Sequence, residues 1–378
     1  MACRSAPGLL SMLSVAACSF AQVVPQHPRE TVVIAPQKVS LSEVSAVQVP
    51  SLPEESIGAP LLCDVDGRIL FRLAMPDTGM EDPVSVSRDG KTVIRFGREK
   101  INDILRPMLL STFLLGSDVY ILTRGSTPLG YETKWHTPKG EVVSQPASKS
   151  SQFVAHFEPD GRYASAVRLN LPFQPLQLGV FESGDFLIAG ADSSTEEPRM
   201  AIVGSNGELR RFVELKGDVH ALDESDLSGK GKDPSALPRF ESSPGSGDSL
   251  FDVVSTSRIV SDGPNLLLFR LLNGPVFSIS PSGEVRVHQL KVEGDYRLFM
   301  IKPTRNAWIV EFMREAPPHG PAIEFATYAF DRESSAPLRE YFFPRDLGWG
   351  LACVDGDEFT FVMANDESKT LQLVRLAP

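Results

Sequence analysis

"VSVSRDGKTVIRF", residues 84–96, alternates apolar and polar positions, turns on Asp89-Gly90 and runs back out as a second alternating segment. Alternation is the mark of a half-buried strand, and Asp-Gly between two such runs signals a hairpin. A lone hairpin and one copy of a repeat specify different proteins, so the neighbours of this stretch decide the fold. "LLCDVDGRILFRL" turns at Gly67, "STFLLGSDVYILTR" at Gly116 and "TKWHTPKGEVVS" at Gly140. "FVAHFEPDGRYASAVRL" turns at Gly161, "LGVFESGDFLIAG" at Gly184 and "RMAIVGSNGELRRFVEL" at Gly207. From Gly67 to Gly207 the successive gaps are 23, 26, 24, 21, 23 and 23 residues, which is a repeat.

After an interruption the beat resumes at Gly263 and Gly283, then at Asn306, near Ser334 and at Gly356, with a last strand at 370–376. Twelve hairpins taken in pairs give units of about 46 residues, the size of a four-stranded propeller blade. The expected fold is therefore all-β, a β-propeller of four-stranded blades, with six blades favoured and seven as the alternative. The six-blade phasing starts blades at Gly90, Gly140, Gly184, Gly263, Asn306 and Gly356. The seven-blade phasing starts at Gly67 and lets the interruption replace one hairpin.

The interruption, residues 216–249, is rich in Gly, Ser, Asp and Pro and poor in anything that packs; it reads as a long flexible surface loop. At the N-terminus, Arg4 is followed by "GLLSMLSVAA" and "CSFAQ", which reads as an export signal over residues 1–21. Cleavage before Gln22 is one route. "VAAC" at 15–18 offers another, a lipobox with Cys18 as the lipidated mature N-terminus. Residues 22–59 read as a Pro-rich tether that could contribute a closing strand, and 60–378 as the propeller. No other apolar run reaches the ~18 residues of a membrane helix. The expected location is periplasmic or secreted, with an outer-membrane lipoprotein as the alternative.

Two cysteines then remain in the folded part, Cys63 and Cys353, an even pair in an exported chain and so a candidate disulfide. They fall in the first and last complete hairpins, so a bond between them would clasp the ring at its seam. Two buried free thiols are the other reading.

The net charge of −11, with no Lys/Arg cluster, argues against a nucleic-acid partner. "VSVSRDGKTVIRF" and "HFEPDGRYASAVRL" resemble the hairpins of TolB-like and YVTN-type propellers, with Arg88 and Glu158 at positions where those repeats carry Pro and Ser. "VGSNGELRRF" and "SPSGEVRVHQL" are similar to turns of NHL and quinoprotein-like propellers. These resemblances imply a blade fold and carry no catalytic residue.

Six histidines invite a closer look. His27 and His319 fall in the tether and a loop, His220 opens the insert, and His136, His156 and His288 lie in strand flanks. His156 and His288 could form a central-channel pair or be ordinary polar positions. Asp64, Asp66, Asp355, Asp357 and Glu358 could converge on calcium or simply serve tight turns. No P-loop, dinucleotide fingerprint or nucleophile elbow occurs, so neither cofactor nor metal is expected. The functional expectation is an exported, monomeric binding module for a protein, peptide or glycan. A propeller lyase, lactonase or glycan-active hydrolase using the central channel is the alternative.

Overall fold

The alternating segments are strands, and they stack into six sheets. The computed structural model describes residues 35–378 apart from 54–56, 75–80, 103, 139, 141, 196, 216–256, 271–272, 316–322, 345–346, 348–349 and 366–369. The export segment 1–21 with Cys18, the tether up to residue 34 and the insert 216–249 lie outside the described residues.

The chain opens with β1 (Gln37–Ser40) and β2 (Ser42–Pro53). Blade 1 is β3 (Ile57–Cys63), β4 (Ile69–Ala74), β5 (Glu81–Val86) and β6 (Val93–Arg95). Blade 2 is β7 (Leu105–Leu115), β8 (Asp118–His136), β9 (Val142–Phe157) and β10 (Tyr163–Arg168). Blade 3 is β11 (Gln174–Val180), β12 (Phe186–Ala191), β13 (Pro198–Val203) and β14 (Leu209–Phe212). Blade 4 is β15 (Ser257–Asp262), β16 (Asn265–Arg270), β17 (Asn273–Ile279) and β18 (Val285–His288). Blade 5 is β19 (Arg297–Pro303), β20 (Trp308–Glu315), β21 (Ile323–Phe330) and β22 (Pro337–Phe342). Blade 6 is β23 (Leu351–Asp355), β24 (Glu358–Asn365) and β25 (Thr370–Ala377), completed by β2.

Each blade is an antiparallel meander, and the first strands of the blades approach one another around the axis. The core is accordingly divided into layers between blades. Ile69, Phe71 and Val84 of blade 1 pack on Ala352, Val362 and Leu371 of blade 6. Phe269 and Val276 of blade 4 pack on Trp308, Val310 and Phe312 of blade 5. A four-stranded sheet alone would leave both these faces in water, so each blade is stable only against its neighbours.

Six blades are present, and the last four begin where expected, but the phase of the first two differs. Blades begin at the Gly67, Gly116, Gly184, Gly263, Asn306 and Gly356 turns, and Gly90 is the second turn of blade 1. Gly140 does not separate blade strands at this face at all; it tips the hairpin between β8 and β9, at the opposite end of blade 2. The interruption lies between blades 3 and 4 and replaces no hairpin, which removes the need for a seventh blade.

Closure uses the start of the chain. β2 runs antiparallel to β25 from Ser42↔Ala377 to Pro53↔Thr370 and supplies the outermost strand of blade 6. β1 adds in parallel to β22 as a fifth strand of blade 5, and between them Leu41 is buried and donates its N–H to the Phe342 carbonyl. Residues 37–53, read from sequence as part of a tether, are thus sheet strands. At the inner edge of the same seam, Cys63 of β3 and Cys353 of β23 form a disulfide with Cα atoms 5.2 Å apart.

The second turn of a blade rests on the outer strand of the blade before it. A Cβ at Gly90 would lie 2.9 Å from Val47 Cγ1 and 3.2 Å from the Gln48 carbonyl oxygen, both on β2. β2 therefore occupies, for blade 1, the position that β10 occupies for blade 3. There the fit is tighter: Gly207 has φ of +84°, and a Cβ would come within 1.9 Å of the Arg168 carbonyl oxygen. Gly207→Ala is expected to cost roughly 3 kcal/mol, from left-handed strain plus the displacement of β10 backbone. Chemical denaturation checks this; a loss below about 1 kcal/mol would show that the blade 2–blade 3 contact is loose.

Candidate functional site

Three places hold chemistry-bearing side chains: the turn face, the blade junctions and an arm that extends blade 2. At the turn face the acidic residues meet arginines. Asp64 Oδ1 accepts from the N–H groups of Asp66 and Arg68, at 2.9 and 2.7 Å, the local bonding a tight turn calls for. Arg88, in the second turn of blade 1, lies 3.5 Å from Asp355 and 2.5 Å from Glu358 across the seam. Arg375 reaches both Glu358 and the Arg88 carbonyl oxygen. Asp357 pairs with Arg339 of blade 5 at 3.1 Å. Among the described residues no three His, Cys, Asp or Glu side chains gather as a metal-binding group.

His156 and His288 do not converge. His156 is on β9, the third strand of blade 2, stacked on Tyr120 with centroids 4.6 Å apart and its Nε2 3.3 Å from Asp118. His288 is on β18, the outermost strand of blade 4. Its Nδ1 is 3.0 Å from Ser335 Oγ in the second turn of blade 5, and its ring meets Trp308 edge-on. Burial lowers the His288 pKa, Asp262 opposing it. His288 thus belongs to the blade 4–blade 5 junction, where Arg332 also bonds Asp262 at 2.5 Å. Neither histidine is on a channel-lining first strand, so a channel pair of these two is ruled out.

A buried pair that the repeat pattern did not single out lies inside blade 5. Glu311 of β20 is 1% exposed, and its Oε2 has no hydrogen-bond partner among the described residues. Burial raises its pKa and lowers that of Lys302 on β19, and the attraction between them opposes both shifts. Removing one partner strands the other. Lys302→Met alone is expected to destabilise by about 3–5 kcal/mol, while Lys302→Met with Glu311→Leu recovers most of that loss. Urea titrations of the two variants check this; equal losses would show that the charges act independently.

The largest departure from the repeat is β8–β9. β8 has 19 residues and β9 has 16, against four to eight for most blade strands. β7 pairs with β8 only as far as Leu105↔Ser126, and β10 pairs with β9 no further than Arg168↔Phe153. Beyond those limits the two strands pair only with each other, through a bulge between Pro128 and Glu132, out to His136↔Val142. The ten residues past Ser126 make an arm roughly 30 Å long. It leaves from the face opposite the blade-starting turns.

Leu129, Tyr131, Val142 and Val143 on the arm, and Leu105 and Met108 at its base, are large apolar side chains exposed to solvent. Tyr131 is 59% and Val142 60% exposed. Between Arg124 and Gln152 the sequence carries four basic residues against two glutamates, in a chain whose net charge is −11.

The arrangement defines a six-bladed β-propeller with one modified blade. No known family profile matches the chain, and no curated protein matches it by sequence. Among solved structures it is similar to a member of the duf4221 family from Bacteroides vulgatus, with a TM-score of 0.50 at 11% identity, over 89% of this chain and 97% of that one. It is also similar to virginiamycin B lyase from Staphylococcus aureus, with a TM-score of 0.38 at 11% identity, over 89% and 99%. Phage phi92 endosialidase gives a TM-score of 0.45 at 10% identity, over 92% and 71%. At these identities the likeness is one of propeller fold and extends to no activity.

Proposed function

We propose that the protein is an exported, monomeric binding module, built on blades of the TolB-like or NHL-like kind, that engages a protein partner through the blade 2 arm. The observation that carries this reading is the arm itself. A two-stranded ribbon with exposed apolar side chains is marginal in water, and its outer edges offer unpaired backbone to an added strand. The local basic excess suits an acidic segment of the partner at the arm. Export is supported by the sequence of residues 1–21 and by a disulfide that an oxidising compartment would preserve.

The test compares affinity capture by the full chain and by a chain in which residues 128–148 are replaced with Asn-Gly. Extracts of the native host's periplasm and medium are the source. A protein retained by the first and lost from the second, with the thermal transition of the ring unchanged, supports the reading. Identical capture by both would refute it, and retention of a glycan or short peptide instead would change the partner class. Intact mass of the native product separates a chain beginning at Gln22 from one acylated at Cys18.

A further inference from the structure

The second turns of the blades form a series with one exception, and the exception is independent of the arm. Gly90, Gly161, Gly207 and Gly283 each have positive φ and close their turn by donating the backbone N–H to a carbonyl oxygen three residues back. Each also lies against the outer strand of the blade before it. A Cβ at Gly161 would come 2.7 Å from Ile94 Cγ2 on β6, and one at Gly283 would come 3.1 Å from Arg211 Cδ on β14. In blade 5 the corresponding place belongs to Ser335, which donates its N–H to the Asp331 carbonyl oxygen and holds φ of +58°. A serine adopts this left-handed backbone only at a cost that a glycine avoids, so the surroundings must hold it there.

What the serine adds is a side chain that reaches the preceding blade. Its Oγ lies 3.0 Å from Nδ1 of His288 on β18, a half-buried ring set edge-on to the buried Trp308 at 4.7 Å between centroids. A neutral imidazole can accept the Ser335 O–H at Nδ1, whereas an imidazolium can only donate there. The charged groups of the junction are already committed. Asp262 of β15 is bonded to Arg332 of the same blade 5 turn, Asp331 accepts from the N–H groups of Glu333 and Ser334, and the exposed Arg286 on β18 lies 3.6 Å from Glu284. Burial holds the His288 pKa below its ordinary value; Asp262 opposes this and Arg286 adds to it. A histidine depressed in the folded state contributes stability that is lost as pH falls from about 6.5 through the folded value.

We propose that the His288–Ser335 bond is an acid-released latch: protonation of His288 frees the second turn of blade 5 from β18 and loosens the blade 4–blade 5 junction while the other junctions stay closed. The imidazolium is hydrated only if the turn moves away, and the strained Ser335 backbone relaxes when it does. The apolar layer of Phe269, Val276, Trp308 and Phe312 carries no titrating group and keeps the two blades together. Release is therefore a local opening at the turn face, smaller than unfolding of either blade.

The experiment is amide hydrogen exchange of the full chain at pH about 7.5 and about 5.5, corrected for the intrinsic pH dependence of exchange. In wild type, β18 and the turn from Asp331 to Ala336 are expected to exchange at least about threefold faster at the lower pH, with blade 1 unchanged. His288→Asn keeps an acceptor for the Ser335 O–H and cannot become charged, so it is expected to exchange slowly at both pH values. Ser335→Ala removes the bond and is expected to exchange fast at both. Equal exchange at the two pH values in wild type, or a pH response that survives His288→Asn, overturns the proposal. If His288→Asn fails to fold, a nuclear magnetic resonance titration of the wild-type His288 ring decides. A midpoint below that of a free histidine supports the latch, and one at or above it overturns the latch, because acid would then tighten the junction.

Discussion

Replacing Cys63 and Cys353 together with alanine is expected to lower the unfolding free energy by roughly 5 kcal/mol. The bond joins positions 290 residues apart, so it encloses nearly the whole propeller. In the chain-entropy account a crosslink of that span removes more freedom from the unfolded ensemble than a local one does. For a ring of this size the loss corresponds to a fall in melting temperature of roughly 7 °C. The folded ring should persist, because β2 still spans the same seam from the outside. Urea unfolding followed by far-UV circular dichroism, on wild type, wild type with reductant and the double variant, separates the contributions. Wild type with reductant should match the double variant. A loss under about 1 kcal/mol in both would show that the seam is held by β2 and the Arg88 ion pairs alone.

Removing β2 is expected to do more. A chain starting at Glu54 loses the outer strand of blade 6, the buried Val49 and Leu41, and the surface on which the Gly90 turn rests. Burying two such side chains is worth about 1.5–3 kcal/mol each, and the ladder adds about 1 kcal/mol per hydrogen bond. The sum exceeds the whole margin of many domains. The truncated chain should lose its cooperative transition and aggregate through the bare edge of β25. A synthetic peptide of residues 37–53 added during refolding should restore the transition, as a donated strand does. A truncated chain that unfolds within about 2 kcal/mol of the full one would show that three strands suffice for blade 6.

What the sequence made legible, and what it hid, divides along the range of the interactions. The turn beat was readable because these tight hairpin turns end on a residue that must tolerate positive φ, and Gly90, Gly161 and Gly283 each supply it within a few residues of context. The phase was not readable for the same reason. Gly140 carries the same local chemistry, with φ of +80°, yet tips an arm at the other end of its blade. Pro128 and Gly130 concealed the length of β8, because both read as strand breakers and both sit in the Pro128/Glu132 bulge. The seam cysteines were visible through their places in the first and last hairpins. Alternation placed His156 and His288 on faces but could not say which neighbour each face looks at.

The strand that completes the last blade precedes all of blade 1 in chain order, whereas β25, its partner, follows the other strands of all six blades. β2 therefore leaves the ribosome more than 300 residues before the ladder it belongs to exists. Blades 1 to 5 have their own four strands and can assemble in order behind it, but ring closure is postponed until β25 has been made. That interval fixes the order of events: stepwise growth of an open arc, then one long-range capture that sets the overall folding rate. It also defines a period in which β2 and β25 are both exposed edges, when chaperone binding or pairing between nascent chains competes with closure.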